Sequence, residues 1–131
     1  MPLPLCIRSH RKDRIFQTRD ELIAALSVMD SRGGGEFWLT AVGQDFPSLA
    51  VRISAGQADL HYFPVEGHPG FRRLAEDPRP GDVLFQFEGC DPSDGECTPG
   101  CFVIPHAEAL AVADYFVEHG SMCEPVRWLQ L

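Results

Sequence analysis

The sequence has no apolar stretch approaching the roughly 18–20 residues that a membrane-spanning helix needs. Residues 1–5 are too few for the apolar part of a secretion signal, and the positive charges follow them instead of preceding them. We therefore expect a cytoplasmic protein. In that reducing compartment the five cysteines, an odd number, favour free thiols or a metal site over a disulfide framework.

Positive charge is nearly absent from the last third of the chain. Over residues 88–131, Arg127 is the only lysine or arginine, against eight acidic side chains, and the whole chain has a formal net charge of −8. An acidic surface repels phosphate backbones, which argues against direct nucleic-acid binding, and attracts cationic protein partners. An acidic surface also simply keeps a small protein in solution, and composition leaves both interpretations open.

The common catalytic signatures are missing as well. The sequence has no H-E-x-x-H motif, no H-x-E followed by P-C-x-x-C, and no G-x-S-x-G elbow. The glycine run 33–35 lacks a following Lys-Ser/Thr pair, so a turn is favoured over a phosphate loop. His106 and His119 lie at predicted helix ends, where structural roles are commoner than catalysis. We predict no catalytic residues and no enzyme.

What is present fits one domain over residues 1–131, with 1–17 as a loose lead-in, because size and composition are those of an ordinary globular protein. Thr18 and Glu21 form a capping box that begins a helix, and the helix should end before the glycines at 33–35. A second helix should run from Pro105 to about His119, with Gly120 as its stop.

Alternating apolar residues predict strands at 37–42, 49–53, 58–63 and 83–87, and a last strand at 101–104. Short turns join the first three into an antiparallel meander, while 64–82 and 89–100 are predicted loops and the tail at 125–129 packs on the core. The predicted fold class is α+β: a mainly antiparallel sheet packed by an N-terminal and a C-terminal helix.

Three cysteines, Cys90, Cys97 and Cys101, are candidate ligands for a structural zinc ion. Zinc needs four ligands, and the fourth would come from Cys6, His106 or Cys123. The spacing lacks the compact C-x2-C unit of zinc knuckles, so free thiols of a reduced protein are the alternative.

Acidic side chains crowd the same loop, namely Glu88, Asp91, Asp94 and Glu96. The spacing does not match a calcium-binding loop. The loop is therefore either a solvated surface loop or one that meets a basic partner. Charge and expected exposure add Glu66 and His61 to the candidate partner contacts.

Two tryptophans are candidates for interface anchors, a role in which this residue type is enriched. Tryptophans such as Trp38 are more often found in the core, and the apolar tail around Trp128 favours the core for that residue in particular.

The order of these features resembles the Immunity protein 1 family of bacterial polymorphic toxin systems. The matching segments are the strands 37–40 and 49–53 around Phe46-Pro47, the strand 58–63, the run 103–110, the helix end 115–120 and the segment 125–128. The resemblance spans roughly residues 20–129, and the C-terminal run is its most specific part. The loop from Cys90 to Cys101 is not a feature of the family pattern.

The resemblance implies a non-enzymatic inhibitor that binds a cognate toxin one-to-one and occludes its active site or substrate groove. Such toxins often belong to the nucleic-acid deaminases, so the expected partner is a basic protein that acts on DNA or RNA. No cofactor is implied beyond the zinc considered above. Two alternatives stay open: a small metal-binding structural or regulatory domain built on the cysteine loop, and a small enzyme using a Cys/His pair.

Overall fold

Ten strands, two α-helices and one short 3-10 helix lie within the residues that the computed structural model describes, which are 5–8, 13–31, 34–85, 95–121 and 127–131. The helices are α1 (Arg19–Ser31) and α2 (His106–His119). The strands are β1 (Leu5–Arg8), β2 (Asp13–Phe16), β3 (Gly35–Ala41), β4 (Ser48–Ser54), β5 (Gln57–Phe63), β6 (Phe71–Arg73), β7 (Asp82–Phe85), β8 (Glu96–Pro99), β9 (Ile104–Pro105) and β10 (Trp128–Gln130).

The main sheet has the order β10-β6-β5-β4-β3-β1-β2, and β9 adds to β5. Every pairing in it is antiparallel. Strands β7 and β8 form a separate two-stranded sheet. This architecture confirms the predicted α+β class and the predicted meander, which is β3-β4-β5.

The two helices cover one face of the sheet, because alternate side chains on the central strands are apolar. Buried residues of β3, β4 and β5 form one core with α1 and α2, and they include Phe37, Leu39, Val51, Ile53 and Leu60. Helix α2 packs on β4 and β5, and α1 packs on β4 and on α2. Neither α1 nor α2 covers the opposite face of the sheet, and we call it the open face.

Helix ends follow the predicted local chemistry. The Thr18 hydroxyl accepts from the backbone N–H of Glu21 at 3.2 Å. The Glu21 carboxylate reaches back to the N–H of Gln17, at 3.3 Å, one residue before the expected position. Gly120 ends α2 in the left-handed region, where its N–H donates to the Phe116 carbonyl at 2.7 Å.

Four predictions of local structure are wrong where short strands occur. The lead-in 1–17 contains β1 and β2, the loop 64–82 contains β6, and the loop 89–100 contains β8. The strand predicted at 101–104 is a short 3-10 helix, Gly100–Phe102, followed by β9. Strands of two to four residues show too little alternation to be recognised, and partners distant in sequence fix them instead. The strand at 83–87 is confirmed as far as Phe85, and residues 86–87 lie outside the described ranges.

Candidate functional site

A pocket of about 250 Å³ lies between the open face and the β7–β8 hairpin. Strands β3 to β6 supply most of its walls, with the side chains of Glu36, Trp38, Arg52, Asp59, His61 and Arg72. Cys97 and Pro99 of β8 close it on the hairpin side. Pockets for drug-sized molecules usually enclose about 300–1,000 Å³, so this one suits a single side chain or a similarly small group.

Asp59 forms the central ion pairs of the pocket. Its side chain is only 3% exposed, and its Oδ2 atom accepts from Arg52 Nε at 3.1 Å, Arg52 Nη2 at 2.7 Å and Arg72 Nη2 at 2.8 Å. Arg52 on β4 and Asp59 on β5 are direct partners in the strand register, and Arg72 on β6 is the partner of His61 on β5. The register of three strands therefore brings two guanidiniums to one carboxylate, and hydrogen bonds between such charged groups are strong ones.

Further contacts hold both guanidiniums in place. Arg52 also donates to the Thr98 hydroxyl at 2.6 Å and pairs with the Glu96 carboxylate, which ties the β7–β8 hairpin to the sheet. Arg72 lies over the ring of Phe102, with 3.9 Å from its guanidinium carbon to the ring centroid. Neither arginine is therefore a loose surface charge.

Three buried polar atoms of the pocket have no hydrogen-bond partner among the described residues: Asp59 Oδ1, His61 Nε2 and Arg72 Nε. Buried polar atoms in folded proteins nearly always have a partner, so unpaired ones call for an explanation. Their concentration in one pocket marks it as a place for an added polar group.

His61 is a neutral side chain near pH 7, because its environment lowers its pKa below the ordinary 6.5. Burial is the main cause, and the positive charges of Arg72 and Arg52 add to it, while Asp59 acts in the opposite direction. The imidazole also stacks on Phe63, with 5.1 Å between the ring centroids.

We predict that the free energy of unfolding decreases as the pH is lowered below about 6.5. The unfolded chain takes up a proton at His61 first, because the folded protein holds the pKa of this group down. The stability that depends on neutral His61 is thus present above the pKa this group has in the unfolded chain. It is lost as the pH falls through the lower pKa of the folded protein. Urea unfolding between pH 5 and 8 measures the slope, which His61→Gln should reduce. Identical slopes for the wild type and His61→Gln would contradict this.

Exposed or half-buried apolar side chains lie between the pocket and one end of the meander. Trp38 is 38% exposed and its ring lies 5.6 Å from that of Phe63. Val42 and Phe46 in the β3–β4 connection and Val65 after β5 are also exposed. The register aligns Ser48 with Phe63, so these connections meet at the same end of the sheet. We call these five residues the apolar end surface. The expectation of a core position is wrong for Trp38, whereas Trp128 packs against the core as predicted.

The structure separates the predicted partner contacts. His61 lies in the pocket, and Glu96 is exposed at its hairpin side, paired with Arg52. Glu66 is exposed in the turn after β5, next to Val65 of the apolar end surface. The other predicted contacts, Glu88, Asp91 and Asp94, lie outside the described residues.

Of the predicted zinc ligands, the structure describes the side chains of Cys97, Cys101 and His106. Cys97 is an exposed thiol at the pocket and Cys101 is half-buried on the 3-10 helix. Among the residues that can be described, no group of three or more histidine, cysteine, aspartate or glutamate side chains is placed to hold a metal ion. Cys90 and Cys123 lie outside these ranges, as does the side chain of Cys6, so the zinc site stays a prediction. His106 begins α2, with its N–H bonded to the Gly56 carbonyl at 2.9 Å.

Sequence reasoning missed the central ion pair, although the sequence contained a usable pattern. Arg52 and Asp59 are equally distant from the tight turn at 55–56, and both alternate with buried apolar residues. Opposite charges at such positions of a hairpin face each other across the strands. The contribution of Arg72 was not recognisable, because β6 lies in a segment predicted as a loop.

The chain matches no protein-family model and no curated protein. Over the described ranges, none of the helices combines the length and apolar character needed to span a membrane.

Proposed function

We propose that this chain is a cytoplasmic immunity protein that binds and neutralises a cognate bacterial toxin, a basic protein that deaminates cytosine in nucleic acid. The observation that carries the proposal is the apolar end surface, which leaves Trp38 and Phe46 exposed, with Trp38 also lining the polar pocket. The resemblance of the C-terminal run to the Immunity protein 1 family supplies the class of partner.

The apolar end surface has the composition of a protein interface. Aromatic side chains are enriched where partners bind, and a few of them usually supply most of the affinity. Contiguous exposed apolar surface is uncommon on proteins that work alone. Trp38, Phe46 and Phe63 thus fit the role of anchors, and the polar pocket beside them fits a rim that selects the partner.

Charge supports a basic partner in particular. The chain carries a net charge of −8. A toxin that acts on DNA or RNA needs a cationic substrate groove. An acidic binder that occupies this groove excludes the nucleic acid, and complementary charge speeds the encounter. Fast association suits an inhibitor that must intercept each toxin molecule before it acts.

Co-expression with the toxin domain encoded beside this gene tests the proposal, scored by survival and by co-purification. We expect rescue and a one-to-one complex whose association slows as salt is added. Absence of both would refute it.

Trp38→Ala and Phe46→Ala should each weaken the complex about thirtyfold or more, which corresponds to the ~2 kcal/mol typical of an anchor residue. Surface plasmon resonance measures this change. Ile15→Ala is the control, because Ile15 is also a large exposed apolar residue, at 58%, but lies on β2 at the far edge of the sheet. Equal losses for Trp38→Ala and Ile15→Ala would show that the apolar end surface is not the interface.

A further inference from the structure

We infer that the pocket on the open face receives an arginine side chain of the partner protein. This inference rests on the proposed function, since that function supplies a basic partner whose surface meets the open face. It adds what the proposal lacks, namely a particular site and the chemistry of the group that enters it.

Charge balance favours a cation in the pocket. Three carboxylates, those of Glu36, Asp59 and Glu96, lie in or at the pocket, against the guanidiniums of Arg52 and Arg72. Because His61 is neutral near pH 7, these described groups together carry one unit of negative charge. An anionic ligand would meet unfavourable charge, whereas a cation would complete the balance.

The uncompensated carboxylate is that of Glu36. Asp59 and Glu96 are occupied by the two arginines, while Glu36 makes no ion pair with any other residue in the described part of the chain. Glu36 is half-buried and lies two residues before Trp38 on the same face of β3. A guanidinium entering here would find a carboxylate able to accept two parallel hydrogen bonds.

The indole of Trp38 supplies the second contact. A planar guanidinium stacks flat on an aromatic face and donates hydrogen bonds in parallel pairs at its edge, whereas an ammonium group has no planar face or paired edge. Trp38 lines the pocket and is 38% exposed, so its ring is accessible to an incoming side chain. This combination of a ring face and a carboxylate favours arginine over lysine.

The floor of the pocket provides the independent sign of a ligand. Asp59 is buried to 97% and lines the pocket, yet its Oδ1 atom accepts no hydrogen bond from the described residues. His61 Nε2 is unpaired in the same way. A donor-rich group such as guanidinium, which carries five N–H bonds, matches an acceptor left unpaired at this depth.

Titration with N-acetyl-arginine amide tests the pocket without the toxin. The protein has two tryptophans, and the indole N–H signal of Trp38 is assigned in NMR spectra by Trp38→Phe. We expect the chemical shift of the Trp38 signal to change and to saturate at millimolar concentrations of the arginine derivative. The lysine derivative should give smaller changes and the uncharged citrulline derivative none. Equal shifts with arginine and citrulline, or no saturable shift with arginine, would overturn the inference.

Glu36→Gln provides the second readout. This variant should lower the affinity for the arginine derivative at least threefold and the affinity for the toxin about tenfold, because it removes the charge of the side chain and keeps its shape. Glu76→Gln is the control, since Glu76 is exposed and outside the pocket lining. If the toxin binds the wild type and both variants equally well, the pocket inference fails and the proposed function stands. If no toxin binds the wild type, the proposed function fails, and the titration alone decides the pocket.

Discussion

Asp59→Ala should lower the free energy of unfolding by about 3–5 kcal/mol, because it leaves two guanidiniums in a largely buried place without their shared carboxylate. The side chains of Arg52 and Arg72 are 17% and 16% exposed, so water replaces the lost partner only in part. The hairpin β7–β8 should loosen as well, since Arg52 also binds Glu96 and Thr98 and depends on Asp59 for its orientation. Urea denaturation measures the loss.

Glu96→Ala is the matched control for this change. It removes a carboxylate from the same arginine, but one whose side chain is 57% exposed. Exposed ion pairs contribute about 0–1 kcal/mol, so the expected loss is small. If Asp59→Ala costs no more than Glu96→Ala, the buried cluster is not the stabilising element that its geometry indicates.

Gly34→Ala should cost at least ~3 kcal/mol or prevent folding. Gly34 has a φ of +86° between α1 and β3, a conformation that costs other residues about 1–2 kcal/mol. A Cβ at this position would also overlap the backbone carbonyl of Ile53, which is a fixed part of β4. Overlap with backbone cannot be relieved by a side-chain rotation, so the sheet itself must shift.

Gly43→Ala separates the cost of the positive φ from the cost of the overlap with Ile53. Gly43 has nearly the same φ, +82°, but a Cβ there would meet nothing within 4 Å. We expect a loss of only about 1–2 kcal/mol, from the backbone conformation alone. Thermal unfolding of both variants makes the comparison, and similar losses at the two positions would mean that the close approach of Gly34 to Ile53 is unimportant.

Local chemistry in the sequence predicted the centre of this fold and missed its edges. The meander β3-β4-β5 was predictable because each strand has seven residues and its neighbours follow after short turns. The start of α1 and the end of α2 were predictable because Thr18 and Gly120 act on the backbone nearest to them. Strands β1, β2, β6 and β8 were missed because tertiary pairing, not their own pattern, makes them extended.

The site was predictable only in part, for a related reason. His61 was selected from the sequence for its charge and expected exposure, but in the structure it is partly buried against Arg72. Trp38 was expected in the core because tryptophan usually is, and the face it occupies follows from the strand register. The pocket itself depends on β8 lying against the open face, and no local sequence pattern predicts that placement.

The position of α2 has a consequence for synthesis on the ribosome. The meander ends at Phe63, yet the helix that covers β4 and β5 begins only at His106. Helix α1 precedes the meander and packs on β4, but the part of the apolar face that α2 covers is exposed until more than forty further residues have been made. During that interval the nascent chain exposes apolar sheet surface. We therefore expect it to bind chaperones and to aggregate when translation stops early.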